Sequence, residues 1–278
     1  MEVREYALNI LEAQSLEEKL AKPSSTLADE RPGPERRVER PVRPANLQIR
    51  SVAQAKVPDI GGMHDPKQRP RIVHAFANHE LQAVELFAWA LLAFPDTPRD
   101  FRDGLLRILR EEQLHCRLYI DRLKALGNDL GDFPVSGYFW NKAVDIQTPA
   151  QFVCAMSLTF ENANLDHTID YAEAARGVGD LETMVLLERV HKDEIGHVRF
   201  GWHWLQRFKK AESSTSEAYL ENIAWPLRPA LAKGRVFHPG PRKSAGLDAE
   251  FVSLLEAANR QAGRDDGAPA EDLLEENP

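Results

Sequence analysis

Between residues 70 and 210 apolar side chains recur at spacings of three, four and seven in four separate runs, a pattern that predicts four long helices. The first runs from about Pro70 to Phe94 and stops at Pro95. Thr97-Pro98-Arg99-Asp100 reads as an N-cap threonine, proline at N1 and an acid at N3. It opens a second helix that ends near Leu126, before Gly127. Thr148-Pro149-Ala150-Gln151 repeats that chemistry and opens a third, which ends near Arg176-Gly177. The fourth starts at Asp180 and runs to about Lys210. A helix of about 28 residues is about 42 Å long.

The flanks have a different pattern. Val3, Tyr6, Ala7, Ile10 and Leu11 predict one or two short helices within residues 2–22. Residues 23–70 carry many prolines, in runs such as RPGPERRVERPVRP. Proline fixes φ and removes a donor, so this segment is expected to lie extended on the surface of the next domain, with its arginines as a solvated charge run. After Lys210 a polar Ser/Thr stretch leads to a Trp/Pro/Arg-rich region, Trp225 to Arg242, expected to close one end of the helices. A short helix follows near Leu247 to Arg260, and then an acidic tail, RDDGAPAEDLLEENP, expected to be disordered. The division expected is 1–69, 70–210, 211–263 and 264–278.

The connections set the topology. Helices one and two, and three and four, are joined by a few residues each, so each pair forms an antiparallel hairpin. About 20 residues, Gly127 to Gln147, join helices two and three and can cross the length of the helices. The expectation is an all-α protein built on a four-helix bundle of two antiparallel hairpins and one long crossover, with N- and C-terminal extensions.

The second helix carries Glu111-Glu112-Gln113-Leu114-His115 and the fourth Asp193-Glu194-Ile195-Gly196-His197. Glu and His three apart on a helix share a face and can reach one ion. Helices one and three should then supply one Glu each. Glu80 precedes Glu112 by 112 − 80 = 32 residues, and Glu161 precedes Glu194 by 194 − 161 = 33, which reads as a diverged duplication. Glu80 lies on the apolar stripe of Val73, Ala77, Val84 and Leu91, whereas Glu85 shares a mixed face with Asn78 and Gln82, so Glu80 is the preferred ligand. Glu112, Glu161 and Glu194 also lie on apolar stripes. A buried carboxylate without a partner costs several kcal/mol, and no matching lysines or arginines share these stripes. Two divalent cations held by Glu80, Glu112, His115, Glu161, Glu194 and His197 would balance the four glutamates. Oxygen-rich donors with one histidine per ion suit iron or manganese better than structural zinc.

Neighbouring residues supply further candidates. Glu111 and Asp193 precede the ligand glutamates and are candidates to accept a hydrogen bond from a ligand histidine on the partner helix. His191, three residues before Glu194, is a candidate extra ligand, proton carrier or hydrogen-bonded core histidine. His79 and His167 read as structural. Tyr119 and Tyr171 are candidates for a radical role or for packing alone. Gly196 leaves room either for a small molecule or for close helix packing.

These motifs, with H-E-L-Q-A-V-E (79–85) and F-E-N-A-N-L-D (160–166), resemble the ferritin-like di-metal carboxylate superfamily. In more detail, A-N-H-E-L-Q-A-V-E-L, the loop G-D-F-P, D-E-I-G-H-V and the N-terminal A-L-N-I-L-E-A-Q-S-L-E-E-K-L look like a ferritin-like family catalogued as a domain of unknown function. The resemblance spans the chain to about residue 210. It implies the ferritin-like bundle and the same six ligands, and no particular substrate.

Composition narrows the remaining choices. With 43% hydrophobic and 28% charged residues this is an ordinary globular chain. A net charge of −8 argues against a nucleic-acid partner. The start MEVREYALN has no signal-peptide core, the apolar runs are too short to span a bilayer, and only two cysteines are present, so a reduced cytoplasmic protein without a membrane partner is expected. The functional expectation is a di-metal oxidoreductase, holding two iron ions or a manganese and an iron. It would activate O2 with an electron donor to hydroxylate or oxidise a small metabolite, as a monomer or homodimer. The alternatives are a ferroxidase or metal-storage protein and, less in keeping with the acidic charge, a tRNA-base hydroxylase.

Overall fold

The computed structural model of the chain describes residues 1–258 except 24, 25, 52, 144 and 225. The acidic tail at 264–278, the expected helix end at Arg260 and Trp225 lie outside the described residues. The chain divides into two compact units: Met1–Pro58 with Asp65–Val144, and Asp59–His64 with Asp145–Pro278. Both are essentially all-α. No helix among the described residues is long and apolar enough to cross a membrane.

In the first unit, α1 (Val3–Glu12) and α2 (Leu16–Leu20) precede a long antiparallel hairpin of α3 (Arg69–Ala93) and α4 (Arg99–Ala125). α3 is apolar on nearly every side and is buried along almost its whole length, with α1, α4 and α5 (Tyr138–Ala143) packed around it. The cap expected at Thr97 is absent. α4 begins at Arg99 after Pro98, and the Thr97 hydroxyl donates instead to the Phe94 carbonyl at 2.7 Å, closing the end of α3. A two-residue parallel ladder, β1 (Ile49–Arg50) on β2 (Val135–Ser136), ties the proline-rich segment to the start of the crossover. The expectation of a solvated arginine run fails at Arg43, which is 5% exposed and ion-paired to Glu85.

In the second unit, α6 (Pro149–Ala155) carries the expected capping box: Thr148 Oγ1 accepts from the Gln151 amide while Gln151 Oε1 accepts from the Thr148 amide. A π-helical turn, Met156–Phe160, joins it to α7 (Glu161–Gly177). α8 (Leu181–Phe208), capped by Asp180 Oδ1 on the Thr183 amide, completes the hairpin. The Ser/Thr stretch after Lys210 is not merely a connector: Ser214 caps α9 (Thr215–Asn222) in a capping box with Glu217. The Pro-rich region contains a short turn at Pro229–Ala232 and α10 (Pro239–Ala245), and Asp248 caps α11 (Ala249–Ala257).

Two glycines of α8 have opposite reasons to be there. A Cβ at Gly201 would lie 2.2 Å from Ser157 Cβ in the π-helical turn, whereas a Cβ at Gly196 would meet nothing within 4 Å. Close packing therefore explains Gly201 and not Gly196. Gly201→Ala is expected to destabilise the protein by about 1–3 kcal/mol through overpacking. Gly196→Ala is expected to stabilise it by about 0.5–1 kcal/mol through helix propensity. Urea unfolding of the two variants beside the parent measures both, and a reversed order would contradict this packing.

Candidate metal centre

Each hairpin positions one buried Glu-Glu-His cluster. In the first unit α4 presents Glu112 and His115 from successive turns of one face, and α3 presents Glu80. His115 Nδ1 lies 3.4 Å from Glu112 Oε2 and 3.6 Å from Glu80 Oε2. All three are buried, with exposures of 5% for Glu80, 1% for Glu112 and 0% for His115. Burial, and then the charge of Glu112 and a hydrogen bond shared with it, push the Glu80 carboxyl well above the usual carboxylate range. Two carboxylates this close and this dry call for a shared proton or a cation between them.

The second unit repeats the arrangement. α8 presents Glu194 and His197, and α7 presents Glu161 from its first position. His197 Nδ1 lies 3.3 Å from Glu194 Oε2 and 3.8 Å from Glu161 Oε1. The π-helical turn ends at this glutamate, whose amide donates to the Met156 carbonyl five residues back. Such turns are frequent at functional sites because the extra residue resets the face that follows. Asn164, one turn along α7, donates from Nδ2 to Glu194 Oε1 at 2.8 Å and leaves Oε2 turned toward His197.

In each cluster one donor atom per residue lies within 4.8 Å of the others, so each could hold a metal ion. The gaps of 3.3–3.8 Å are long for hydrogen bonds. They are close to the span of about 3.0–3.4 Å between two donors each about 2.1 Å from one ion. The donor set of each cluster is two carboxylates and one imidazole, whose two negative charges would match one divalent cation.

The other candidates fall in different places. Glu111 is half-buried beside Glu112. Asp193 accepts from Arg189 Nε at 3.0 Å on its own helix. His191 is hydrogen-bonded through Nδ1 to the Thr168 hydroxyl at 2.9 Å. Tyr119 is buried and packs against Phe76. Tyr171 is half-buried, and burial, with the charges of Asp59 and Asp170, pushes its phenol up to about 12. His79 stacks on Phe139.

Glu85 belongs to a different construction. It is fully buried and accepts from Arg43 and from Trp140 Nε1, with Lys19 Nζ 3.2 Å away. Its face is therefore no mixed, half-polar surface: the first unit supplies it with two buried cations. Sequence reasoning missed this network, because Lys19, in a short N-terminal helix, and Arg43, in an apparently solvated arginine run, lie 66 and 42 residues upstream of Glu85. It also missed Asn164, whose position three residues after Glu161 on α7 was the available signal.

A family model described as "Protein of unknown function (DUF455)" matches residues 5–253. A curated protein of Haemophilus influenzae (strain ATCC 51907 / DSM 11121 / KW20 / Rd), named "Uncharacterized protein", is 28% identical over 186 residues. The match covers 63% of this chain and 63% of the length of that relative. No solved structure matches the chain.

Proposed function

We propose that this chain, which belongs to the DUF455 family, is a ferritin-like di-metal oxidoreductase that activates O2 to hydroxylate or oxidise a small organic molecule. In this reading the two hairpins close into one four-helix bundle and their two clusters together hold a pair of ions. One observation carries it: the same Glu-Glu-His contacts, through the same imidazole nitrogen, occur twice at buried positions. The spacing of 32 and 33 residues supports pairing the clusters as halves of one duplicated site.

Two iron ions, or a manganese and an iron, would supply the redox chemistry. The chain supplies position and dryness. Helical spacing holds each Glu and His on one face, Asn164 fixes one oxygen of Glu194, and the apolar stripes keep bulk water from the carboxylates. Glu111 and Asp193 are proposed to orient the ligand histidines, with Asp193→Asn expected to weaken metal binding about 10-fold. A Cβ at Gly196, which lies between two ligands in sequence, would meet nothing within 4 Å.

Oxygen uptake separates this reading from a storage protein. Protein loaded anaerobically with Fe(II) is expected to consume O2 in proportion to its bound iron, stop, and resume each time a reductant is added. Uptake that continues with added Fe(II) while ferric iron accumulates far beyond the bound pair would replace the oxidoreductase reading with storage. No uptake above buffer would remove both.

A further inference from the structure

A small cleft in the first unit, between α3, residues 55–57 and residues 133–136, is lined by Lys56, Arg71, His74, Asn78, His79 and Ser136 together with apolar residues, and by no Asp or Glu. That is unusual ground in a chain of net charge −8. Two acids adjoin lining residues in sequence: Asp132 is engaged by the Asp129 amide and the Asn128 side chain, and Glu80 lies with His115 in the buried Glu-Glu-His cluster. Arg71 is held on two sides. Its Nη2 donates to the Lys56 carbonyl at 3.0 Å, and its guanidinium lies 5.7 Å from the centre of the Phe133 ring. Its Nε is buried and has no hydrogen-bond partner among the described residues. His74 accepts from the Gly131 amide at Nε2, and burial keeps its imidazole neutral, so it shapes the cleft without adding charge. The cleft has a free volume of about 20 Å³, room for a water or two or the oxygens of one anionic group.

We infer that this cleft binds a small oxyanion, either free or as the end group of a larger molecule that extends out of the mouth. The Arg71 guanidinium and the Lys56 ammonium are the donors, because charge-assisted bonds to an oxyanion are stronger than those to water. The inference does not rest on the metal reading.

The test uses the full chain and calorimetric titration with phosphate, sulfate and acetate at constant ionic strength, with chloride as the reference. Saturable binding of phosphate is expected, weakened about 10-fold or more in Arg71→Gln and in Lys56→Gln. It is expected to be unchanged in Lys243→Gln, which removes an exposed lysine of the second unit. Lys56 is exposed, so that variant keeps the fold if Arg71→Gln does not. Ethyl phosphate binding more tightly than phosphate identifies an end-group site, and the reverse order identifies a free-ion site. No saturable binding of any of the three anions, or equal binding by Lys56→Gln and the parent, overturns the inference.

Discussion

Glu85→Ala is expected to cost about 3–5 kcal/mol of stability, because it strands two buried cations. Lys19 and Glu85 side chains are both 0% exposed and Arg43 2%, so no water replaces the lost carboxylate. The three groups are not equal. One carboxylate faces two cations, and Arg43 takes it with two nitrogens, at 3.0 Å from Nε and 2.6 Å from Nη2. Burial raises the Glu85 carboxyl, but Arg43 and then Lys19 outweigh it and hold it below the ordinary value of 4.5. Burial pulls the Lys19 ammonium down despite Glu85, with Arg43 adding to the fall. Lys19 is therefore the weaker partner. Arg43→Met is expected to cost about 2–4 kcal/mol, and Lys19→Met only about 1–2 kcal/mol, mainly for the bond it makes to the Ile10 carbonyl. The folded pKa of Glu85 is depressed, so its contribution is complete above pH 4.5 and is lost as the pH falls below it. Urea unfolding read from tryptophan fluorescence measures the series, with Trp140, whose indole is bonded to Glu85, contributing to the signal. A Lys19→Met variant as costly as Glu85→Ala would contradict this division.

The second unit has a comparable pin. Arg242, 0% exposed, pairs with Asp166 at 2.7 and 2.9 Å and donates to the carbonyls of Asn162, Ala232 and His238. Asp166 also accepts from the amides of Gly234 and His238, and Gly234 packs so closely that a Cβ there would lie 2.5 Å from Asp166 Cβ. One buried pair thus fastens the Pro-rich region to α7, within five residues of Glu161. Arg242→Met is expected to cost about 3–5 kcal/mol by leaving a buried carboxylate and three carbonyls short of donors. Amide exchange over residues 229–245 is expected to speed up with it. Unchanged exchange there, with stability near that of the parent, would show that other contacts hold the segment.

The long helices were legible because period and punctuation agree: Pro95, Gly127, Gly177 and the caps at Thr148 and Asp180 bound runs with clear apolar stripes. Each Glu-x-x-His was legible for the same reason, since helical spacing alone fixes a shared face. Thr97 was misread because the same Thr-Pro pair can close the preceding helix through its hydroxyl as easily as open the next. The π-helical turn at Met156–Phe160 leaves no trace in an apolar run, where an extra residue changes the face without changing the pattern. Arg43, Lys19 and Arg242 were hidden for another reason. Their partners lie tens of residues away, and composition marks a charged side chain as solvated until the fold shows otherwise.

Metal content per chain is the most direct test of the di-metal reading, measured on protein expressed in iron- and manganese-supplemented medium beside Glu112→Ala and Glu194→Ala. The expected result is about two ions of iron or manganese per chain, with both variants losing them, since each removes a proposed ligand. Negligible bound metal in the parent, with both variants folded and at least as stable, would mean that the paired glutamates and histidines are structural and would contradict the proposed function.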